Sequence, residues 1–216
     1  MESVDDIDGV GGSSLGAALL SLSEQLLGGM GADERVKFGL VSVSPTTGEV
    51  IYDEFVDTAM RTELETRLAH IKPFELLLPG SKLSKHSERM LAHYAENGNV
   101  RMERINDELD YTSAFEYLRK FYEDERDTAA AASSSTFKKR ECICFHAYIL
   151  FNKPLYTVEP FKDVIGFPKA IVVALAHAVR HLLSYGLSDA FRRTTFFANF
   201  LTRSHMLLNA NTLDNL

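Results

Sequence analysis

The segment that decides the fold is VSVSPTTGEVIYDEF, residues 41–55. Residues 36–43 and 50–56 are rich in β-forming side chains, which predicts two antiparallel strands. Pro45 and Gly48 are typical of the turn between such strands, because proline presets φ early in the turn and glycine supplies a flexible exit. The segment therefore predicts a β-hairpin.

The hairpin leads into RTELETRLAHIKPFELLLP at 61–79, where a helical pattern changes to a strand pattern. Asp57 or Thr58 can cap the helix. Pro73 breaks it, and the short apolar run at 74–78 is typical of a buried strand. The predicted apolar face of the helix consists of Met60, Leu64, Leu68 and Ile71. The unit is therefore strand, strand, helix, strand.

Two more helices and one more strand follow this unit. The second helix is predicted to begin at Ser84 and to end near Gly98, and residues 100–105 form the next strand. Ser113 and Glu116 have the spacing of a capping box, which opens a third helix. The order β-β-α-β-α-β-α favours an α/β fold in which a mixed sheet is flanked by helices.

The segments around this unit have their own patterns. Leucines at helical spacing predict a short helix at 14–27, ended by Gly28. Residues 123–136 are charged and then small, which predicts a surface loop. Apolar residues recur at helical spacing over 168–185, which predicts a long helix, and a second helical portion is predicted over 189–208.

The negative charge of the chain is concentrated near its N-terminus. The 216 residues include 30 Asp and Glu and 23 Lys and Arg, and the net charge is −7 at pH 7. Seven of the acids, but no Lys or Arg, lie in residues 1–34, so the 23 remaining acids balance the 23 bases in residues 35–216. A neutral body lacks the basic field that non-specific DNA binding needs. Strong DNA binding by this chain alone is therefore not expected.

Cysteine content and hydropathy indicate an intracellular protein that does not enter a membrane. The only cysteines are Cys142 and Cys144, whose spacing disfavours a disulfide and is not that of a C-x-x-C metal or redox motif. The first residues are acidic and lack the basic segment of a signal peptide. The most apolar run, residues 170–179, is too short to span a bilayer.

Histidines and acids are the candidates for catalytic or metal chemistry. His177 and His181 have the i,i+4 spacing of two metal ligands, but Ala178 stands where a zinc protease has its glutamate base. Asp53 and Glu54 lie on the second strand of the hairpin and have no evident partner acids. The first predicted strand, VKFGLVSV, has no acid at all, although a two-metal nuclease needs several converging carboxylates. We therefore expect His177 and His181 to be ordinary helix residues. We expect Asp53 and Glu54 to lie on a solvated strand edge.

Phosphate-binding and nucleic-acid-binding motifs are also lacking. The sequence contains no G-x-x-x-x-G-K-[ST] loop and no G-x-G-x-x-G after a strand. Basic residues cluster at 138–140 and at Arg192-Arg193, where solvated ends are the expected interpretation. The residues therefore assign no catalytic, cofactor-binding or metal-binding position.

Several long stretches, taken in order, resemble one family. They are GLVSVSPTTGEVIYDEF, RTELETRLAHIKPFELLLP, RMERINDELDYTSAFEYLRKFY, VIGFPKAIVVALAHAVRHLLSYGL and TTFFANFLTRSHMLLNANTLDNL. They resemble the connector domain of MutS-type mismatch-repair proteins and the passage into the helical core, or lever, domain. The likeness is strongest to the fungal members of the eukaryotic MutS homologue three branch, and it covers most of residues 36–123 and 164–216.

The resemblance implies a ribonuclease-H-like fold without a nuclease centre. It divides the chain into an acidic, glycine-rich leader with a possible short helix (1–34), a connector domain (35–165) and the truncated helical start of the core domain (166–216). Residues 138–162 have no counterpart in the family pattern and are interpreted as an atypical insertion.

The resemblance also implies a function for the intact protein, of which this chain would be a fragment. The intact protein would bind mismatched DNA and insertion/deletion loops in the nucleus, as a heterodimer with a second MutS homologue, and would use ATP and Mg²⁺. This region would be a non-catalytic connector between the DNA clamp and the ATPase, and would contact a MutL-type protein. A metal-dependent nuclease and a non-functional truncation product are the alternatives.

Overall fold

The computed structural model describes residues 18–80, 83–133, 163–192 and 196–203, without the side chains of 124–133. The strands are β1 (Leu19–Gly28), β2 (Arg35–Ser44), β3 (Glu49–Thr58), β4 (Glu75–Pro79), β5 (Arg101–Ile105) and β6 (Phe197–Asn199). The helices are α1 (Thr62–Ile71), α2 (Lys85–Gly98), α3 (Tyr111–Ser133), α4 (Lys169–Ser184) and α5 (Phe200–Arg203). Short 3₁₀ turns lie at Gly31–Asp33 and Ser188–Phe191.

The six strands form one mixed sheet in the order β5-β4-β1-β2-β3-β6. β1, β2 and β3 are antiparallel neighbours, whereas β1–β4, β4–β5 and β3–β6 are parallel pairs. Helices cover both faces of the sheet. The predicted fold class, an α/β fold in which a mixed sheet is flanked by helices, is confirmed.

The hairpin predicted from the opening segment is confirmed. β2 pairs with β3 from Arg35 opposite Thr58 to Ser44 opposite Glu49. Gly48 has φ of +73°, and its amide donates to the Ser44 carbonyl at 2.8 Å. A residue with a Cβ adopts this left-handed conformation only at a cost, so glycine suits the exit of the turn.

A capping serine sets the start of α2, as the sequence predicts, but the predicted start of α1 is wrong. α1 begins at Thr62, so Met60, which was predicted to lie on its apolar face, precedes the helix and is 77% exposed. The carboxylate of Asp57 accepts a hydrogen bond from the amide of Leu64 at 2.8 Å and so satisfies one amide of the first turn of α1, although the N-cap residue itself is Arg61. Ser84 precedes α2, and its hydroxyl accepts from the amide of Ser87. α2 ends at Gly98, as predicted.

Alternate residues of β1 face two separate cores. Leu20 and Leu22 belong to the core beneath α1 and α2, whereas Leu19 belongs to the core beneath α3 and α4. This alternation is the two-residue period of a strand. β1 therefore joins both cores at the centre of the sheet.

The helix α4 lies directly against β2. Gly39 meets Ala170 so closely that a Cβ added at residue 39 would lie 2.4 Å from the Ala170 carbonyl carbon. The hydroxyl of Ser23 on β1 donates to the Ala170 carbonyl oxygen at 2.8 Å. The absence of a side chain at residue 39 thus allows the start of α4 to rest on the sheet.

Gly39→Ala is expected to lower the free energy of unfolding by about 3 kcal/mol, because the new methyl group overlaps backbone that cannot move freely. Urea denaturation measures the change. Gly166→Ala is the control, since its Cβ would lie 3.5 Å from the carbonyl oxygen of Asp163, an ordinary contact. Equal urea midpoints for the two variants would contradict the expectation.

The helix predicted over 14–27 is wrong in its described part, which is the strand β1. Leu19, Leu22 and Leu26 do recur at helical spacing, but Leu26 is 60% exposed. Leucine and serine also alternate at residues 20–23, and this two-residue period agrees with the strand that forms. Pairing with β2 on one side decided between the two patterns.

The loop predicted over 123–136 is also wrong where it is described, because α3 continues to Ser133. The start of α3 differs as well, since the helix begins at Tyr111 and not at Ser113. The carboxylate of Asp110 accepts from the amide of Ser113 at 3.3 Å, so the aspartate is the cap. Alanine has a high helix propensity, which suits the alanine-rich end of α3.

The second helical portion predicted over 189–208 is wrong in its described residues. They form a 3₁₀ turn, the strand β6 and one helical turn, α5. β6 pairs with β3 from Phe197 opposite Val50.

The long helix predicted over 168–185 is confirmed as α4. Among the described helices, none is both long and apolar enough to cross a membrane.

The division of the chain at residues 34/35 and 165/166 stays a proposal, and the packing favours moving both boundaries. β1 lies at the centre of the sheet, although the proposed leader (1–34) includes it. Ile171, Leu175 and Val179 of α4 belong to the same core as Val41 of β2. We therefore infer that β1 and α4 belong to the proposed connector domain. The atypical insertion, 138–162, lies outside the described residues.

Candidate functional site

The most conspicuous polar site lies where the pairing of the parallel strands β1 and β4 ends. A cleft of about 370 Å³ opens there, and its lining includes Glu24, Glu34, Glu108 and His177. The carboxyl ends of parallel strands are the usual place for ligand sites in α/β folds. This cleft is therefore where catalytic or metal chemistry has to be tested.

Arg61 is the centre of the polar cluster beside this cleft. Its side chain is fully buried, and its backbone adopts the left-handed conformation with φ of +55°. The guanidinium donates to Ser84 and Ser87 at 2.8 Å each, and also contacts the Glu34 carboxylate and the Thr58 carbonyl. One buried cation thus joins β3, the residue before β2 and the start of α2.

Two carboxylates share this guanidinium. Glu24 of β1 lies 3.7 Å from Arg61, and its other contacts are the Ser84 amide and the Ser87 hydroxyl, both at 3.0 Å. The first predicted strand contained no acid, but the structural first strand, β1, contains Glu24. An acid on the first strand is therefore present, and it is neutralised by an internal arginine.

The charge of Glu34 is stabilised by the same cluster. Burial by itself would raise the pKa of Glu34, but hydrogen bonds from Arg61 and His86, with their positive charge, hold the pKa below its usual value. Glu34 therefore remains ionised at neutral pH. Its position against Arg61 makes it a partner in an ion pair.

A second buried ion pair lies on the same face of the sheet. Asp53 of β3 is 1% exposed, and its carboxylate accepts from Nε of Arg67 in α1 at 2.7 Å. The Arg67 guanidinium also lies 3.8 Å from the centroid of the Phe55 ring and pairs with Glu63. The solvated strand edge predicted for Asp53 is therefore wrong.

Glu54, the neighbour of Asp53, faces the other side of the strand. Its carboxylate pairs with Nζ of Lys37 at 3.1 Å, and both side chains remain partly exposed. The two acids of the predicted pair therefore do not converge. In the part of the chain that the structure describes, no three His, Cys, Asp or Glu side chains are grouped so that they could hold a metal ion.

His177 and His181 have separate partners. Nε2 of His177 accepts from the Leu109 amide at 3.4 Å, and its Nδ1 is buried without a partner among the described residues. Nε2 of His181 lies 3.6 Å from the Glu75 carboxylate. Burial, aided by the charge of Arg180, lowers the pKa of His177 to about 4. His177 is therefore neutral at physiological pH.

The stability of the chain is expected to fall as pH drops from about 6.5 towards 4, by up to about 3 kcal/mol through His177 alone. The unfolded state binds the proton first, because the pKa of His177 is lowered only in the fold. His177→Leu should flatten the dependence of the unfolding free energy on pH in this window. His93→Gln, at an exposed histidine, should leave the slope unchanged. Equal slopes in all three proteins would contradict this assignment.

Other predicted candidates lie outside the described residues or on the surface. Cys142, Cys144, the basic run 138–140 and Arg193 are outside. Arg192 is 50% exposed and pairs with Asp189 at 3.2 Å. The buried ion pairs of Arg61 and Arg67 were not predicted, because neither arginine belongs to a functional motif. Only the serine–leucine alternation before Glu24 could have placed that acid on a strand.

The family described as MutS domain II matches residues 17–144. The crystal structure of Fowlpox virus resolvase with Holliday junction DNA aligns with 78% of this chain and 95% of that chain, at 9% identity. Its TM-score of 0.34 is too low to bear on fold or function.

Curated fungal proteins are similar over nearly the whole chain. The DNA mismatch repair protein MSH3 of Cryptococcus neoformans is 36% identical, with 92% of this chain and 19% of that protein aligned. The msh3 protein of Emericella nidulans is 34% identical over 99% of this chain and 19% of its own length. The MSH3 protein of Pyricularia oryzae is 35% identical over 100% of this chain and 17% of its own.

This chain spans about one fifth of the length of these relatives. The match to MutS domain II covers more than half of the chain, and the identities exceed 30% over nearly all of it. The chain belongs to the MutS family of DNA mismatch repair proteins and corresponds to a segment of its fungal MSH3-like branch.

Proposed function

We propose that this chain is the non-catalytic connector region of a protein that binds mismatched DNA and insertion/deletion loops. The intact protein would act in the nucleus as a heterodimer with a second MutS homologue, and would bind ATP and Mg²⁺ elsewhere in its length. The connector would couple the DNA clamp to the ATPase and offer a surface to a MutL-type partner.

One observation carries the non-catalytic part of this proposal. The guanidinium of Arg61 lies between the carboxylates of Glu24 and Glu34, beside the end of β1. A two-metal nuclease needs open carboxylates that bind its cations. Here an internal cation already neutralises them, and Asp53 is paired in the same way with Arg67.

Incubation of the purified chain with DNA or RNA and Mg²⁺ or Mn²⁺ tests this part. We expect no cleavage above that of buffer. Cleavage that disappears in Asp53→Asn would overturn the proposal in favour of a metal-dependent nuclease. Asp53→Asn also needs a folding control by circular dichroism, because Asp53 is buried against Arg67.

Binding measurements test the expected lack of ATP and DNA recognition in this region alone. ATP needs a backbone cradle and a lysine for its phosphates, which no stretch of the sequence supplies together. Duplex DNA needs several converging basic side chains, and the charges of residues 35–216 balance. We expect no useful affinity for ATP, looped DNA or homoduplex DNA at about 150 mM salt. Sub-micromolar binding with preference for the loop would contradict this.

The coupling role is tested in a longer protein that also contains the clamp and ATPase regions. There, Gly39→Ala should weaken the ATP-dependent release of looped DNA, because it displaces α4 from β2 within the proposed connector. Gly166→Ala should leave that release unchanged.

The alternative, a non-functional truncation product, is tested separately. The test is to sequence the transcript across the codons for residues 138–162 and beyond residue 216.

A further inference from the structure

A groove of about 530 Å³ lies between α1 and α2. Its wall on the α1 side includes Glu65, Ala69 and Lys72, and its wall on α2 includes Met90 and Tyr94. Residues three and four positions apart lie on one face of a helix, so each wall is a continuous ridge of side chains. The groove therefore has the shape of the space between two helix ridges, into which a third helix can pack.

The C-terminal ends of the two helices fix the floor of the groove. Lys72 and Asn99 cap α1 and α2, each in the left-handed conformation with φ of +50°. The chain then returns through Pro73 and Val100, which line the groove just before β4 and β5. Because these two strands are paired in parallel, the sheet holds this part of the lining in place.

Much of the groove lining is apolar. It includes Ala69, Met90, Tyr94 and Val100. Met90, Tyr94 and Val100 are only partly buried, although they pack against the core beneath α1 and α2. The Tyr94 hydroxyl donates to the carbonyl of Leu68 at 3.1 Å, which fixes the position of the ring. An apolar partner that covered these side chains would remove them from water, and this burial favours binding.

Glu65 and Lys72 are the charged residues of the described groove lining, and they lie about 10 Å apart along α1 at the usual rise per residue. Both are exposed, and neither side chain has an ion-pair or hydrogen-bond partner among the described residues. Two other polar side chains of the lining, those of His93 and Asn97, contact each other at 3.1 Å. The groove therefore offers a partner one free negative charge and one free positive charge.

We propose that this groove binds an amphipathic helix of a partner protein. An acidic residue of that helix faces Lys72, apolar residues three and four positions later enter the groove beside Ala69, and a basic residue seven positions after the acid faces Glu65. The order follows from the helix dipole, which favours an acid towards the N-terminus and a base towards the C-terminus. The partner helix therefore runs antiparallel to α1. The inference specifies the surface of the proposed partner-binding role and rests on that role only for the partner's place in repair.

A synthetic helical peptide with this pattern is the probe. It is alanine-rich and about 18 residues long, so that it can form a helix in water. It carries Glu, leucines three and four positions later, and Lys seven positions after Glu. In a titration of the purified full chain followed by NMR, we expect binding that shifts the signals of Ala69, Met90 and Tyr94. Replacing both leucines by alanine should weaken binding at least tenfold, because the leucines supply the buried apolar area.

An exchange of charges tests the orientation of the helix. A peptide with Glu and Lys interchanged should bind about fivefold more weakly, because it places like charges against Lys72 and Glu65. In the double variant Glu65→Lys, Lys72→Glu the preference should reverse, and this reversal separates the groove contacts from any difference in peptide helicity. Glu116→Lys, at an exposed position of α3 on the other face of the sheet, is the control and should change neither affinity more than twofold.

Three results would overturn the inference, namely no binding at about 1 mM peptide, shifted signals only outside the groove, or an unchanged preference in the double variant. A dimer of the chain that Ala69→Arg dissociates would also overturn it, because a second copy of the chain would then occupy the groove. None of these results changes the cleavage, ATP, DNA or release measurements, so the two proposals fail separately.

Discussion

Arg61→Ala is expected to lower the free energy of unfolding by about 3–5 kcal/mol. The substitution leaves the carboxylates of Glu24 and Glu34 beside each other without their shared cation, and their side chains are only 6% and 15% exposed. It also removes the donors that bind Ser84 and Ser87 at the start of α2. Urea denaturation at pH 7 measures the loss.

Arg104→Ala is the control for Arg61. Arg104 has an ion pair as short as 2.6 Å, but both partners are more than one third exposed, so its loss should cost at most about 1 kcal/mol. Adding Glu24→Gln to Arg61→Ala should recover part of the loss, because it removes one unpaired buried charge. Similar losses for the two alanine variants, or no recovery in the double variant, would show that Arg61 acts through packing.

Arg67→Ala is expected to cost a similar amount, about 3–5 kcal/mol, because it leaves Asp53 unpaired at 1% exposure. The variant also loses the contact of the guanidinium with the Phe55 ring and its i,i+4 pair with Glu63. Thermal and urea unfolding of the purified chain measure the change.

Arg119→Ala is the matched control for Arg67. Arg119 also forms an i,i+4 pair on a helix, with Glu123, but both side chains are about half exposed. Its removal should change the unfolding free energy by less than about 0.5 kcal/mol. If Arg67→Ala lowered the unfolding free energy as little as Arg119→Ala, the Asp53 carboxylate would have to be hydrated in solution. Asp53 would then again be a candidate catalytic or metal-binding acid.

The candidate site could not be predicted from the sequence, because its members are distant along the chain. Glu24, Arg61 and Ser87 meet only after β1, α1 and α2 have packed against the sheet. The sequence places Asp53 on a strand, but the predicted exposure of its side chain is wrong. Whether a strand residue is solvated depends on the helix that covers it, and α1 supplies Arg67 above it.

The errors in the fold have a common cause. The leucines before Gly28 fit both a helical and a strand period, and pairing with β2 and β4 selected the strand. Phe197 and Phe200 also fitted a helix, but pairing with β3 drew residues 197–199 into the sheet. Periodicity describes one segment at a time, whereas strand pairing depends on a partner that is elsewhere in the sequence.

By itself, the sequence determined the β2–β3 hairpin, the bounds of α2 and α4, the existence of α1, the mixed α/β class and the likeness to the MutS family. The structural features depend on short-range effects such as a turn glycine, a capping side chain or a helical period, and the family likeness depends on the order of several long stretches of sequence. The tertiary structure alone decided that β1 lies at the centre of the sheet and that Arg61 and Arg67 neutralise buried acids. Burial and ion pairing are set by neighbours from distant segments, and these neighbours exist only once the chain has folded.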